Sequence, residues 1–167
     1  MKLLREVLMR NETGQGHLLH IPVPWVYTIA YLVGIAIQLV YPVSITSAVF
    51  LVITYSLSTL FLVVGVVLAV WAQWIFHKER TTTDPTRTSA KLVTWGPYKF
   101  SRNPMYLGLF LAFIGLDGLL TFIWSLLLLI FVFYYVNWIV IPVEEKKLQE
   151  TFGDGYNQYH NRVRRWI

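Results

Sequence analysis

Cysteine is absent from the 167 residues, and with it go disulfide frameworks, thiolate metal sites and cysteine nucleophiles. Charge is scarce as well: 14% of residues are Asp, Glu, Lys or Arg, against about a quarter in an ordinary soluble domain. Acidic residues are the scarcer kind, nine against fourteen basic ones, for a formal net charge of +5. Apolar residues fill the space, with 56% hydrophobic and 16% aromatic. Such a chain reads as one integral membrane domain with no second globular module. Nucleic acid is set aside as a partner because Lys and Arg border apolar spans, a placement that suits anionic lipid headgroups. The first ten residues, MKLLREVLMR, carry Lys2, Arg5, Glu6 and Arg10, so the apolar core of a signal peptide cannot form there. Leu4, Val7 and Leu8 follow helical spacing and predict a short interfacial helix.

Four apolar runs stand out: Trp25 to Tyr41, Ile45 to Phe76, Met105 to Leu120 and Phe122 to Val143. The first and last suit a single crossing, which takes ~20 residues. The second, ~48 Å long as one helix, exceeds the bilayer core, and the third, at ~24 Å, falls short of it. The expected fold is therefore all-α, a polytopic membrane protein with about four transmembrane helices plus short cytoplasmic and interfacial helices. Within a single domain over 1–167, residues 1–24 form the interfacial segment, 25–77 two spans, 78–104 a loop, 105–143 a helical hairpin and 144–167 a tail. All fourteen Lys and Arg residues fall in 1–20, 78–102 and 144–167. The hairpin turns at 42–44 and around Asp117 and Gly118 have none, so the positive-inside rule places both termini, the loop and the tail in the cytoplasm.

The loop ends in Arg102-Asn103-Pro104 ahead of Met105-Tyr106. Pro104 suits a first helical position and Asn103 a helix N-cap. A helix N-terminus of this kind favours a carboxylate or phosphate, although a capped membrane helix with an Arg at the headgroups is common. The last span ends in Glu144 and Glu145, where an ionised carboxylate is costly unless paired or hydrated, and where a helix C-terminus disfavours acid. Either they meet interfacial water beside Lys146 and Lys147, or they face inward and bind something cationic or rich in hydrogen-bonding groups. His17, His20, His77 and His160 have no ligand spacing, so no metal is expected.

The strips LVTWGPYKFSRNPMYLG and EEKKLQETFGDGYNQYHNRV resemble the isoprenylcysteine carboxyl methyltransferase family and its phospholipid methyltransferase relatives over residues 91–165. The resemblance implies methyl transfer from S-adenosylmethionine, with S-adenosylhomocysteine as product. Carried over, Leu92, Val93, Tyr98, Asn103, Pro104, Met105, Tyr106 and Glu144 would contact the cofactor, and Arg102 and Glu145 would serve catalysis. The cofactor pocket would face the cytoplasm and a lipophilic acceptor would enter from the bilayer, with no obligatory protein partner. An isoprenylcysteine-type carboxylate, a lipid amine, a thiol and a quinone-like hydroxyl remain open as acceptors.

Two departures bear on the acceptor. Many family members carry His where this chain has Asn103, which cannot act as a base. The family's carboxyl methyltransferases carry an Arg four residues before the first Glu, and here that position is Val140; Arg162, Arg164 or Arg165 would have to replace it. An ammonium acceptor would need Glu145 or a tyrosine as base. Asn137, near the Glu pair, is a candidate to orient the acceptor. Gln38 and Gln73 are expected to make interhelical hydrogen bonds, and Gly34, Gly65, Gly108 and Gly115 to allow close packing. The rival functions are an inactive membrane binding or scaffold protein that retains the fold, and a small transporter subunit using the Glu pair. The second wants its charges near the bilayer midplane, not at the interface.

Overall fold

A computed structural model of the protein describes residues 23–43, 48–79 and 91–167. The expected interfacial helix in residues 1–22, His17 and His20 lie outside the described residues. Among the described residues there are six α-helices: α1 Val23–Val40, α2 Ala48–Lys78, α3 Pro104–Leu120, α4 Ile123–Tyr135, α5 Ile141–Phe152 and α6 Asp154–Arg162. A π-helical turn at Val136–Val140 joins α4 to α5, and a 3-10 turn covers Gly96–Lys99. No strand occurs among the described residues.

Among the described residues, three helices are long and apolar enough to cross a membrane: Val23–Val40, Val49–Lys78 and the continuous Ile123–Phe152. α3 is apolar but has 17 residues, ~26 Å at 1.5 Å per residue. It lies along α2 through small residues. A side chain at Gly65 would run into the backbone of Ala112, one at Gly108 would sit 2.6 Å from the Ala69 nitrogen, and one at Gly115 would meet Leu62. In lipid, where hydrophobic surface gains nothing by leaving the solvent, such close backbone approach supplies the packing. The opposite face of α2 shows Val52, Val63, Val67 and Val70 more than half exposed, as a lipid-facing surface would be.

α1 packs on α4, with Gly34 against Ser125. Val23, Tyr27, Tyr106, Leu129, Val132, Val136, Val140 and Ile141 share one buried cluster, which joins α1, α3, α4 and the π turn. Tyr27 stacks on Phe113 with ring centroids 5.3 Å apart.

The α3–α4 hairpin is tighter than the sequence suggests. Asp117 and Gly118 belong to the last turn of α3, and the chain reverses at Thr121, whose φ of 55° is left-handed. Asp117 is buried and accepts a hydrogen bond from the Ser125 hydroxyl at 2.5 Å. Gln38 and Gln73 also correct their expectation: both bond within their own neighbourhood, Gln38 to the Val43 carbonyl and Gln73 to His77.

Candidate functional site

The polar residues gather at the end of the bundle where α2 finishes and α3 begins. Glu79, just past α2, accepts from Lys91 at 2.5 Å and from the Trp95 indole at 3.0 Å. The Lys91 hydrogen bond holds its carboxyl below the usual range. These contacts bring the strip 91–99 back onto α2, where Val93 and Tyr98 are buried with Ala72 and Ile75. Gly96 has φ of 64°, and a side chain there would strike Ile75, so a residue without Cβ allows the return.

Pro104 opens α3 as expected, because its missing N–H costs nothing there. Asn103 occupies the N-cap position, but its side chain does not cap. It donates instead to the Arg165 carbonyl at 3.1 Å, while the Ser101 hydroxyl accepts the Asn103 N–H. The N–H groups in the first turn of α3 therefore have no side-chain cap.

The Glu pair sits inside the continuous helix rather than at its C-terminus. Pro142 offers no N–H to the preceding turn, and the helix widens just before it, with Ile141 N–H bonding Val136 five residues back. One extra residue in a turn rotates the following side chains by roughly 100°. Glu144 then accepts from the Tyr106 hydroxyl at 2.5 Å. Glu145 pairs with two guanidiniums, Arg102 at 2.9 Å and Arg165 at 2.6 Å.

α6 and the residues after it close the arrangement. Tyr156, Tyr159 and Val163 pack with Leu92, Leu148 and Phe152. The Tyr159 hydroxyl donates to the Tyr98 carbonyl at 2.9 Å. Beyond α6 the chain runs back along the corner, with Arg102 N–H bonding the Arg164 carbonyl at 3.0 Å and the Ser101 hydroxyl bonding that of Arg165 at 3.2 Å. The buried hydroxyls of Tyr98 and Tyr156 and the Nε of Arg102 have no hydrogen-bond partner.

Among known proteins, the family model for phospholipid methyltransferase matches residues 53–155, well over half of the sequence. The chain belongs to the phospholipid methyltransferase family. A 72-residue stretch is also 44% identical to protein-S-isoprenylcysteine O-methyltransferase of Saccharomyces cerevisiae, over 43% of this chain and 30% of that protein. The chain thus aligns with less than a third of that relative's length. No solved structure matches. With long apolar helices and this membership, the protein is an integral membrane protein.

Within this phospholipid methyltransferase family member, the matched segment contains Arg102, Tyr106, Glu144 and Glu145, while Tyr156, Tyr159 and Arg165 follow it. Of the residues singled out from sequence, Tyr98, Arg102, Asn103, Pro104, Met105, Tyr106, Glu144 and Glu145 come together at the loop end of the bundle. Leu92 and Val93 bracket it, with Leu92 packed toward α6 and Val93 toward α2. Val140 is buried in the core, so no cation stands at that position, whereas Arg165 reaches Glu145 from the tail. Asn137 is occupied structurally: its side-chain oxygen accepts from the Trp166 indole at 2.9 Å and its carbonyl accepts from Arg165 at 3.2 Å.

Burial raises the pKa of Tyr98, Tyr156 and Tyr159. At Tyr156 the Glu145 charge adds to the rise and the Arg102 guanidinium opposes it. All three therefore remain neutral hydroxyls near pH 7, able to donate hydrogen bonds but poor as bases. No group of three or more His, Asp or Glu suited to a metal occurs among the described residues.

Proposed function

We propose that the protein is a membrane methyltransferase that takes its methyl group from S-adenosylmethionine and places it on a lipophilic or amphiphilic acceptor. The observation that carries this reading is the convergence of the Tyr106–Glu144 pair and the Arg102–Glu145–Arg165 ion pairs at one end of the bundle. Beside them the buried hydroxyls of Tyr98 and Tyr156 and the Nε of Arg102 make no hydrogen bond.

The residues fit the cofactor's chemistry. Glu144, held by Tyr106, suits an ammonium or ribose hydroxyls, and the first turn of α3 suits a carboxylate. The aromatic faces of Tyr98 and Tyr106 suit an adenine ring and a sulfonium. When bound, S-adenosylmethionine supplies a methyl group on a sulfonium; the carbon–sulfur bond breaks with its electron pair going to sulfur, as the acceptor's lone pair forms the new bond. The chain's own residues then align the two reactants and exclude water.

Proton removal narrows the acceptor. Both oxygens of Glu145 are held by guanidiniums, and the buried tyrosines keep their protons. An acceptor that arrives already ionised, a carboxylate or thiolate, needs no base. An ammonium acceptor would have to draw Glu145 out of its ion pairs.

The loop end faces the cytoplasm on this reading, because all fourteen basic residues lie in segments on that side. The test is incubation of purified protein in nanodiscs with methyl-labelled S-adenosylmethionine and a total lipid extract. Label in an organic-soluble product, absent from a Glu144→Ala control, supports the reading. No transfer by protein that is folded and supplied with lipid extracts of several classes counts against it.

A further inference from the structure

The widened turn at Val136–Val140 leaves one backbone group without a helical partner. The Asn137 carbonyl would accept from Ile141 N–H in an α-helix and from residue 142 in a π-helix. Ile141 N–H bonds Val136 instead, and residue 142 is Pro142, which has no N–H. A carbonyl in a membrane span then needs a donor from elsewhere. Arg165 supplies it: its Nη1 lies 3.2 Å from the Asn137 carbonyl. The Nη2 and Nε of the same guanidinium reach the two oxygens of Glu145 at 2.6 and 3.4 Å. One planar fork thus bridges the turn and the Glu pair beyond it. Trp166 adds a second contact to Asn137, its indole N–H donating to Oδ1 at 2.9 Å while its ring lies 5.3 Å from that of Phe133.

The backbone of the same segment holds the loop corner. The Arg165 carbonyl accepts from the Ser101 hydroxyl and the Asn103 amide, and the Arg164 carbonyl from Arg102 N–H. Residues 164–166 therefore tie the corner at 101–103 to the widened turn. We infer that they act as a strap, with Arg165 and Trp166 as positioning residues that hold the turn wide and so keep Glu144 directed at Tyr106. Because a widened turn rotates every side chain that follows it, relaxing it swings Glu144 away from the Tyr106 hydroxyl. Both residues act through the turn and the Glu pair, not by contact with the reacting atoms. The inference deepens the methyl-transfer reading and rests on it for what Glu144 binds.

The test uses the full chain in nanodiscs at a temperature where every variant is folded. S-adenosylhomocysteine affinity is measured by calorimetry, and hydrogen exchange over residues 136–147 by mass spectrometry. Arg165→Lys keeps the charge beside Glu145 but replaces the fork by a point charge; Trp166→Phe keeps a ring on Phe133 and removes the indole N–H. Each is expected to weaken binding about threefold to tenfold, the scale of one hydrogen bond. Exchange over 136–147 should quicken by a similar factor, with that of α2 and α3 unchanged. A merely structural strap would lower Tm without moving the affinity of the folded protein, and full affinity in Arg165→Lys would assign the effect to charge alone; either result overturns the inference. Pro142→Ala restores the missing N–H, so in that background Arg165→Gln should quicken exchange less than in wild type. An equal effect in both backgrounds overturns the role of the Asn137 carbonyl. If wild type binds no S-adenosylhomocysteine, the methyl-transfer reading falls and exchange alone decides: quickening in the variants, relieved by Pro142→Ala, retains the strap, and unchanged exchange removes it.

Discussion

Tyr106 and Glu144, 38 residues apart, meet at 2.5 Å between the hydroxyl and Oε1. Tyr106 lies in the first turn of α3 and Glu144 just beyond the widened turn that precedes α5. The contact ties together the two strips whose resemblance to methyltransferases is legible in the sequence. Tyr106→Phe removes the hydroxyl and keeps the ring. The expected outcome is roughly a tenfold to hundredfold loss of S-adenosylhomocysteine affinity, as for a hydrogen bond to a charged group. Calorimetry checks it, and unchanged affinity would remove Tyr106 from the site.

Glu145 is bound to two guanidiniums, one of them on a side chain that is almost wholly buried. Glu145→Gln leaves that charge without a counter-ion. Breaking a buried pair from one side costs about 3–5 kcal/mol, and partial exposure of Arg165 places this case at or below the lower end. Thermal unfolding in detergent should show a clear fall in Tm. A Tm equal to wild type would mean that the ion pairs contribute nothing to the fold.

The α2–α3 contact depends on missing side chains. Gly65→Val would push a branched side chain into the Ala112 backbone, and overpacking of this kind costs about 1–3 kcal/mol or more. Val66→Leu, on the exposed face of the same helix, should leave Tm unchanged. If both variants melt alike, the helices do not pack through this stripe.

The helices themselves were visible in the apolar runs, to within three residues at most ends, because a bilayer demands long apolar stretches. The convergence of the loop corner and the Glu pair was legible too, since both had to lie at one end of the bundle. What was hidden is how each polar side chain finds its partner. Asn103 has the chemistry of an N-cap, but a tail carbonyl 62 residues away takes its amide, and local rules carry no information on contacts at that separation. The pairing of Glu145 with Arg165 and of Trp166 with Asn137 was missed for the same reason. One local signal was available: Pro142 inside an apolar helix marks a break in hydrogen bonding, and it accounts for the π turn.

Topology has a direct test because the chain contains no cysteine. Lys99→Cys and Leu120→Cys place single thiols at exposed positions, one in the turn that precedes α3 and one at the last residue of α3. An impermeant maleimide applied to intact cells should spare Cys at 99 and label Cys at 120. The reverse pattern would invert the orientation given by the basic residues.

The most direct test of the whole account is calorimetric titration of S-adenosylhomocysteine into the purified protein, beside Glu144→Ala and Arg102→Ala. The account predicts saturable binding to wild type, lost or strongly weakened in both variants while they remain folded. No binding to folded wild type, in detergent and again in nanodiscs, would contradict it.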